Sequence, residues 1–287
     1  FYFICRNADQ TDKIHAAIEK LASGETSYKV DVNDFSSLEA ELAEGLNRIS
    51  DGLETALAEQ VKSERLKADL ITNVSHDIKT PLTSIINYVD LIKRQHIEDP
   101  TVQKYLEVLD QKSQRLKTLT EDLVEASRAS SGNIKLEITN IDFVELVQQT
   151  TGEFEEKYAI RHLEIVNTLP NEVIMIEADG RRLWRVLENL YNNAFKYALE
   201  GTRVYVTIED HGADVVFTIK NVSANPLNIS PDELTERFVR GDVSRTTEGS
   251  GLGLSIAKDL TTLQGGKFEL IIDGDLFKAQ ITFPIKN

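Results

Sequence analysis

The sequence is short of the residues that staple small folds or bind metals. It has one cysteine, Cys5, so no intrachain disulfide can form and a thiolate metal cluster is excluded. The histidines His15, His76, His96, His162 and His211 are far apart, and none falls in a metal-ligand spacing. No run approaches the roughly 18 apolar residues needed to span a bilayer. Positive charge is scarce: 32 Lys and Arg against 47 Asp and Glu give a net charge of −15. That balance argues against a general binder of nucleic acid or anionic lipid. It leaves phosphate binding open, because a few local cations or backbone N–H groups suffice.

The chain has 287 residues, enough for two or three domains with separate cores. Its first residues, Phe1-Tyr2-Phe3-Ile4-Cys5, are apolar and stop at Arg6. They read either as the end of a membrane helix with Arg6 at the cytoplasmic edge, or as an unstructured terminus with chance aromatics. The first reading makes residues 1–7 the end of a transmembrane helix. It puts the chain on the cytoplasmic side of the cell membrane.

Residues 13–129 carry helical periodicity almost throughout, broken at Ser23 to Ser36 and at Glu98-Asp99-Pro100. Ile14, Ala17, Ile18 and Leu21 form one narrow apolar seam; Leu38, Leu42, Leu46, Ile49 and Leu53 form another. Two such short helices bury little alone, and a second copy of the chain would complete a four-helix bundle. Residues 8–58 resemble a HAMP signal-relay domain, the alternative being a coiled-coil spacer.

A long helix is predicted over Ser63 to Ile97, with Ile71, Val74, Ile78, Leu82, Ile85, Val89 and Ile92 as its apolar positions. At about 100° per residue, His76 lies about 180° from the mean direction of Val74 and Ile78, so it points to solvent. Asp77 beside it is placed to hold one ring N–H and sharpen the other nitrogen as a nucleophile. Thr80 lies one turn on, along the same face. Pro81 has no N–H, which leaves the Asp77 carbonyl unpaired and predicts a bend. After Pro100, Val102, Leu106, Leu109, Ser113, Leu116, Thr120 and Leu123 repeat at fours and threes, the seam of a partner helix.

After Ser130-Ser131-Gly132 short β-branched runs alternate with helical stretches, as in an α/β domain. On a helix predicted from Arg181 to Ala198, Asn189, Asn193, Lys196 and Tyr197 share one polar face. Amide oxygens one turn apart suit a hard cation such as Mg²⁺, and Lys196 suits phosphate. Strands are predicted at Val204 to Glu209, Asp214 to Lys220, Lys267 to Ile272 and Phe277 to Phe283, in a mixed sheet with helices on one face. Gly249-Ser250-Gly251-Leu252-Gly253 opens another helix, where glycines let backbone N–H groups approach phosphate.

Together these segments resemble a sensor histidine kinase of a two-component system. Ser75-His76-Asp77-Ile78-Lys79-Thr80-Pro81-Leu82 looks like its phosphoacceptor box. The asparagine helix looks like the N box of the GHKL ATPase fold, Leu234 to Asp242 like the F box, and Gly249 to Gly253 like the G2 box. The resemblance implies an all-α N-terminal part, with a HAMP-like relay and a dimeric antiparallel hairpin over residues 59–131. A GHKL-type α/β sandwich follows over residues 132–287.

It implies autophosphorylation of His76 by ATP·Mg²⁺, with Asp77 as orienting base and Arg240 at the γ-phosphate. It also implies transfer to an aspartate on a response-regulator receiver domain, and dephosphorylation of that regulator through Thr80. Asn193, with Asn189, would hold Mg²⁺. Asn189, Asn193, Lys196, Tyr197, Asn221, Phe238, Arg240 and Gly249 to Gly253 would line the ATP site, under a lid at Asp242 to Glu248. The chain departs from the family at Asn221-Val222-Ser223-Ala224-Asn225, where Asp-x-Gly-x-Gly is usual. Asn keeps a carbonyl acceptor for the adenine amino group but loses the charge. That departure keeps open a second reading, a dimeric scaffold with a decayed nucleotide site. A third, a GHKL ATPase acting on DNA, lacks a basic surface and leaves the His box unexplained.

Overall fold

The computed structural model describes residues 2–35, 37–95, 97, 99–132, 134–236 and 250–286. The expected site residues Phe238, Arg240 and Gly249, and the expected lid at 242–248, lie outside the described residues. The chain divides into two compact units, Phe1–Asp69 and Leu70–Asn287.

The N-terminal unit holds helix α1 (Tyr2–Ala22), a connector with a 3₁₀ turn at Val32–Asp34, and the first part of helix α2 (Ser37–Lys93). α1 begins well before the predicted start near residue 13. The connector is fastened to α2 through side chains. The amide of Asn47 accepts from Val30 N–H and donates to Val30 C=O, both at 2.9 Å, as a neighbouring strand would. The buried Ser50 hydroxyl donates to the Thr26 carbonyl. Ala17, Val30 and Ala43 form a small core, while Leu38, Leu42, Ile49 and Leu53 stay exposed.

α2 runs without a break through the stretch read as two separate helices. The reason is local: no Gly or Pro lies between Leu53 and Thr80, and Leu, Ala, Glu and Lys dominate it. Pro81 sits inside α2. The helix ends at Lys93, short of the predicted Ile97, where Gln95 N–H turns to the Ile92 carbonyl in a tightened last turn.

In the C-terminal unit, α3 (Pro100–Ser130) starts on the Asp99 carboxylate, which accepts from Thr101 N–H at 2.7 Å, and Pro100 at the first position has no N–H to leave unsatisfied. Lys93 pairs with Asp110 at 2.7 Å and ties the end of α2 to α3. The predicted seams resolve into two stripes per helix. Ser75, Leu82 and Val89 are buried, as are Leu106, Ser113 and Thr120, each set at a spacing of seven. Val74, Ile78, Ile85 and Ile92, with Leu109 and Leu116, remain exposed.

The α/β part places β1 (Thr139–Asp142) against β3 (Met175–Ala178) in a two-stranded sheet. The main sheet has the order β2-β4-β5-β7-β6, with β2 (Glu164–Thr168), β4 (Arg203–Asp210), β5 (Asp214–Val222), β6 (Lys267–Asp273) and β7 (Leu276–Pro284). β2 pairs parallel to β4, and the other neighbours are antiparallel. The four strands predicted here occur, each slightly longer. Alternate residues Val204, Val206, Val215, Phe217, Ile219, Phe277, Ala279, Ile281 and Phe283 are buried. They share one core with residues of α4 (Phe143–Ala159), α5 (Gly180–Tyr197), the short α6 (Pro231–Thr235) and α7 (Gly253–Leu263). Phe143, Phe154, Tyr158, Tyr191, Phe217 and Phe283 form a linked aromatic cluster in that core. Its phenols are wired: Tyr158 donates to the Tyr191 carbonyl at 2.7 Å, and Thr151 shares a 2.6 Å bond with the Tyr191 hydroxyl. Burial pushes the Tyr191 hydroxyl up to about 12 and Tyr158 higher still, so both stay neutral donors. Among the described residues, no helix is long and apolar enough to cross a membrane.

Candidate active site

Two places carry the chemistry. On α2, the His76 side chain is 81% exposed and that of Asp77 87%. His76 Nδ1 and Asp77 Oδ1 are 3.8 Å apart, close enough to attract but too long for a hydrogen bond. The Thr80 hydroxyl donates weakly to the His76 carbonyl at 3.4 Å. It is turned onto the backbone here and does not stand free on the histidine face. Ser75, next to His76, is buried, and its Oγ has no hydrogen-bond partner.

The second place is a cavity of about 190 Å³ in the α/β part. One wall is the polar face of α5. That helix is started by the buried carboxylate of Asp179, which accepts from Arg181 and Arg182 N–H at 3.1 Å. Asn189, Asn193, Lys196 and Tyr197 line the cavity together. Asn221 enters from the end of β5, and Ser250, Gly251 and Gly253 from the N-terminus of α7. Leu252 does not line it; its side chain is buried in the core, and its N–H donates to Ser250 Oγ at 3.2 Å. Gly251 is left-handed (φ 70°), which lets the chain turn into α7. Gly253 keeps the approach open: a Cβ there would lie 3.2 Å from Asn189 Oδ1, and the amide would have to give way.

The polar atoms in this cavity are incompletely satisfied. Asn221 is 2% exposed. Its Nδ2 donates to the Val222 carbonyl at 3.2 Å, which fixes the amide, while Oδ1 has no partner. Asn189 Nδ2 is likewise buried without a partner. Buried orphans are rare in folded proteins, and two in one cavity mark places for a ligand's complementary groups. Leu227, Leu234, Leu254 and Phe277 add apolar wall. Among the described residues no group of three His, Cys, Asp or Glu side chains is arranged to hold a metal. A cation here would depend on amide oxygens of the Asn189 and Asn193 type plus oxygens of the ligand itself.

Several lining groups escaped the sequence reading. Glu188 and Asn192 sit on the same helix as the asparagines and were within reach of the helical-face argument. Lys157 on α4, which does not line the cavity itself, donates to Asn192 Oδ1 at 2.6 Å and lies over the Phe195 ring, 4.8 Å from its centroid. Burial and then the neighbouring Lys196 lower its pKa. Thr118 and Asp122 come from α3, and Phe277 is the cross-strand partner of Asn221. No local sequence signal points to these three.

A family model described as "His Kinase A (phospho-acceptor) domain" matches residues 66–132, and one described as "Histidine kinase-, DNA gyrase B-, and HSP90-like ATPase" matches residues 178–286. The chain is 28% identical to "Sensor histidine kinase WalK" of Bacillus subtilis (strain 168), over 80% of this chain and 39% of that protein. It is 29% identical to "Sensor histidine kinase MtrB" of Mycobacterium tuberculosis, over 88% and 44%. To "Sensor protein VanS" of Enterococcus faecium it is 31% identical, over 77% and 58%. The chain therefore spans less than two thirds of each of these relatives. Full-length ShkA, solved in complex with AMPPNP, shares the fold with a TM-score of 0.65 at 23% identity, over 76% of this chain and 46% of that one. ThkA in complex with response regulator protein TrrA does so with a TM-score of 0.54 at 24% identity, over 81% and 67%. With the two family models falling in order on the hairpin and on the α/β part, the chain belongs to the histidine kinases, as a phosphoacceptor and ATPase-fold module related to the sensor kinases of bacterial two-component systems.

Proposed function

We propose that this module transfers the γ-phosphoryl group of ATP to His76 and then to an aspartate of a response-regulator receiver domain. A ring nitrogen of His76 attacks the γ-phosphorus as the bond to the β-phosphate oxygen breaks and ADP leaves. In the second step the aspartate oxygen attacks phosphorus and the P–N bond breaks. The exposure of His76 lets both the nucleotide domain and a regulator reach it. Asp77 orients the ring electrostatically, and Thr80 serves regulator dephosphorylation once its hydroxyl rotates off the backbone.

The observation that carries the reading is the pair of orphaned amides in one cavity. Asn221 Oδ1 is a buried acceptor for the exocyclic amine of adenine. Asn189 Nδ2 is a buried donor at the α7 N-terminus, where phosphates would gather. Asn193 with Asn189 would hold Mg²⁺, which when bound neutralises charge on the phosphates. Lys196 and the Ser250 to Gly253 turn take phosphate oxygens, and Arg240 completes the γ-phosphate contacts. A homodimer forms through the open apolar stripes of α2 and α3. The module works on the cytoplasmic side of the cell membrane. Incubation with [γ-³²P]ATP tests the first step. Acid-labile label on the wild type and none on His76→Gln is expected; label that persists in His76→Gln sinks the assignment.

A further inference from the structure

Asp122 belongs to α3 of the hairpin, yet it lines the nucleotide cavity. One carboxylate oxygen accepts from Arg185 Nη2 at 2.5 Å. The other accepts from the Ser250 hydroxyl at 3.0 Å. Ser250 stands just before α7, whose N-terminus has no side-chain cap and so keeps free donors for an anion. One turn further along α3, Glu125 binds Arg182 at 3.1 Å and Arg185 Nε at 2.8 Å. Ala126 and Ala129 are buried with the core of the α/β part. The contact therefore docks α3 on the domain that carries the cavity, and its upper end sits where a polyphosphate would bind.

Arg185 is shared among three carboxylates. Arg185 is already bound by Glu125 and by Glu188, the latter at 2.5 Å, before Asp122 is added. Burial works against the Arg185 charge, but its bonds to Glu125 and Glu188 outweigh that and raise its pKa. Three carboxylates thus share the two guanidinium groups of Arg182 and Arg185, and Glu188 is drawn on by Lys157 as well. Asp122 is itself buried, and that burial raises its pKa despite the adjacent Arg185. Of the three, Asp122 is the carboxylate that takes the Ser250 hydroxyl next to the α7 N-terminus.

We propose that Asp122 is an internal competitor of the nucleotide's phosphates: it occupies the Ser250 donor in the closed state, and polyphosphate entering at Ser250 expels it and loosens α3 from the α/β domain. The inference rests on the reading of the cavity as an ATP site. A polyphosphate brings several negative charges to within a few ångströms of the Asp122 carboxylate, in a site partly screened from water, where like charges repel most strongly. It also takes over the hydroxyl donor and the α7 dipole. By linkage, whatever holds Asp122 on Ser250 weakens polyphosphate binding by the same factor. Adenosine, which has no phosphate, leaves the clasp intact. ATP loading thereby frees the α/β domain from the hairpin that bears His76, so the phosphoryl donor becomes mobile only when it is loaded.

Two measurements on the full chain test this. Titration of wild type and Asp122→Asn with Mg·ATP and with adenosine comes first. The isosteric amide removes the charge, and we expect ATP to bind about tenfold more tightly while adenosine affinity stays unchanged. Hydrogen exchange on the wild type needs no variant: residues 122–129 of α3 should exchange faster with ATP and at the apo rate with adenosine. ATP that binds Asp122→Asn equally or more weakly overturns the inference, because Asp122 would then be inert or would help hold the nucleotide. Unchanged α3 exchange on ATP binding overturns it too. Both outcomes leave the ATP-site reading standing. Failure of the wild type and of Asp122→Asn to bind either ligand removes both.

Discussion

The backbone N–H of Asp179 donates to Gln264 Oε1 at 2.8 Å, which ties the start of α5 to the end of α7. Both helices contribute walls of the nucleotide cavity, so this bond fixes one relative to the other at the end remote from the ligand. The same residue caps α5 and also accepts from Glu137 N–H at 3.0 Å. Asp179→Ala leaves several buried N–H groups without an acceptor. We expect a loss of about 2 kcal/mol in stability, at the upper end for a helix cap, read as a shift in the urea midpoint at unchanged slope. Asp179→Asn, which keeps one acceptor oxygen, should recover about half.

Two glycines separate binding from folding. Gly253→Ala would set a methyl 3.2 Å from Asn189 Oδ1 and push that amide from its position in the cavity. Nucleotide affinity should fall severalfold with a stability change under about 1 kcal/mol. Gly266→Ala would put Cβ 2.8 Å from the Phe283 ring and 2.9 Å from Thr261 Cγ2. Neither neighbour is a flexible chain end, so this overpacking should cost about 1–3 kcal/mol in a thermal melt. Adenosine affinity per folded molecule should stay the same.

The contrast between these positions explains what could be read before the fold was seen. The α5 face was legible because Asn189, Asn193, Lys196 and Tyr197 are near in sequence and helical geometry alone puts them together. The solvent-facing His76 was legible for the same reason, being opposite Val74 and Ile78. The spans of β4 to β7 were legible from alternation, since one sheet face is buried, whereas the short strands β1, β2 and β3 were not. The continuity of α2 was not, because a change in seam register looks like a boundary when no breaker marks it. The two stripes on α2 and α3 were merged because periodicity reports which residues are apolar and not which neighbour covers them. Asp122 was invisible: it lies some sixty residues before Arg185 and more than a hundred before Ser250, and only packing joins them.

At the hairpin's turn end, Lys93 and Asp110 give a signed pH effect. The hydrogen bond from Lys93, working against desolvation, holds the Asp110 carboxyl below its ordinary value of 3.8. A depressed carboxyl pKa means that the folded state binds its proton later than the unfolded state does. The stabilisation is complete above about pH 3.8 and is lost as pH falls through the lower folded value. Asp110→Asn should therefore match wild type in acid and fall below it at neutral pH. Because the pair is exposed, the gap should shrink in high salt. Melting curves from pH 2 to 7 at two ionic strengths check both the sign and the screening.

Ser75 predicts a gain. Its buried hydroxyl lacks a partner, so the fold carries a desolvation cost with no hydrogen bond in return. Ser75→Ala should raise stability by up to about 1 kcal/mol, provided the methyl fills the space. A destabilised Ser75→Ala would mean that the hydroxyl is satisfied in solution. Its neighbour His76 should keep its reactivity, since the two side chains lie about 100° apart around α2.

The open stripes make the last prediction. Val74, Ile78, Ile85 and Ile92 lie about 60° to 100° to one side of the buried Ser75, while His76 lies about 100° to the other. The apolar stripe and the phosphoacceptor therefore occupy opposite faces of α2. Leu109 and Leu116 repeat at seven on α3, as do the exposed Ile78, Ile85 and Ile92 on α2. Such seams bury themselves against a second hairpin, giving a four-helix bundle with His76 outside. Ile85→Lys would place an ammonium in that seam, so sedimentation should find a monomer at concentrations where wild type is dimeric. Thr83→Lys, on the polar side of the same helix, should leave the dimer intact. A monomeric wild type, or an Ile85→Lys dimer as tight as wild type, would mean that the stripes face something else.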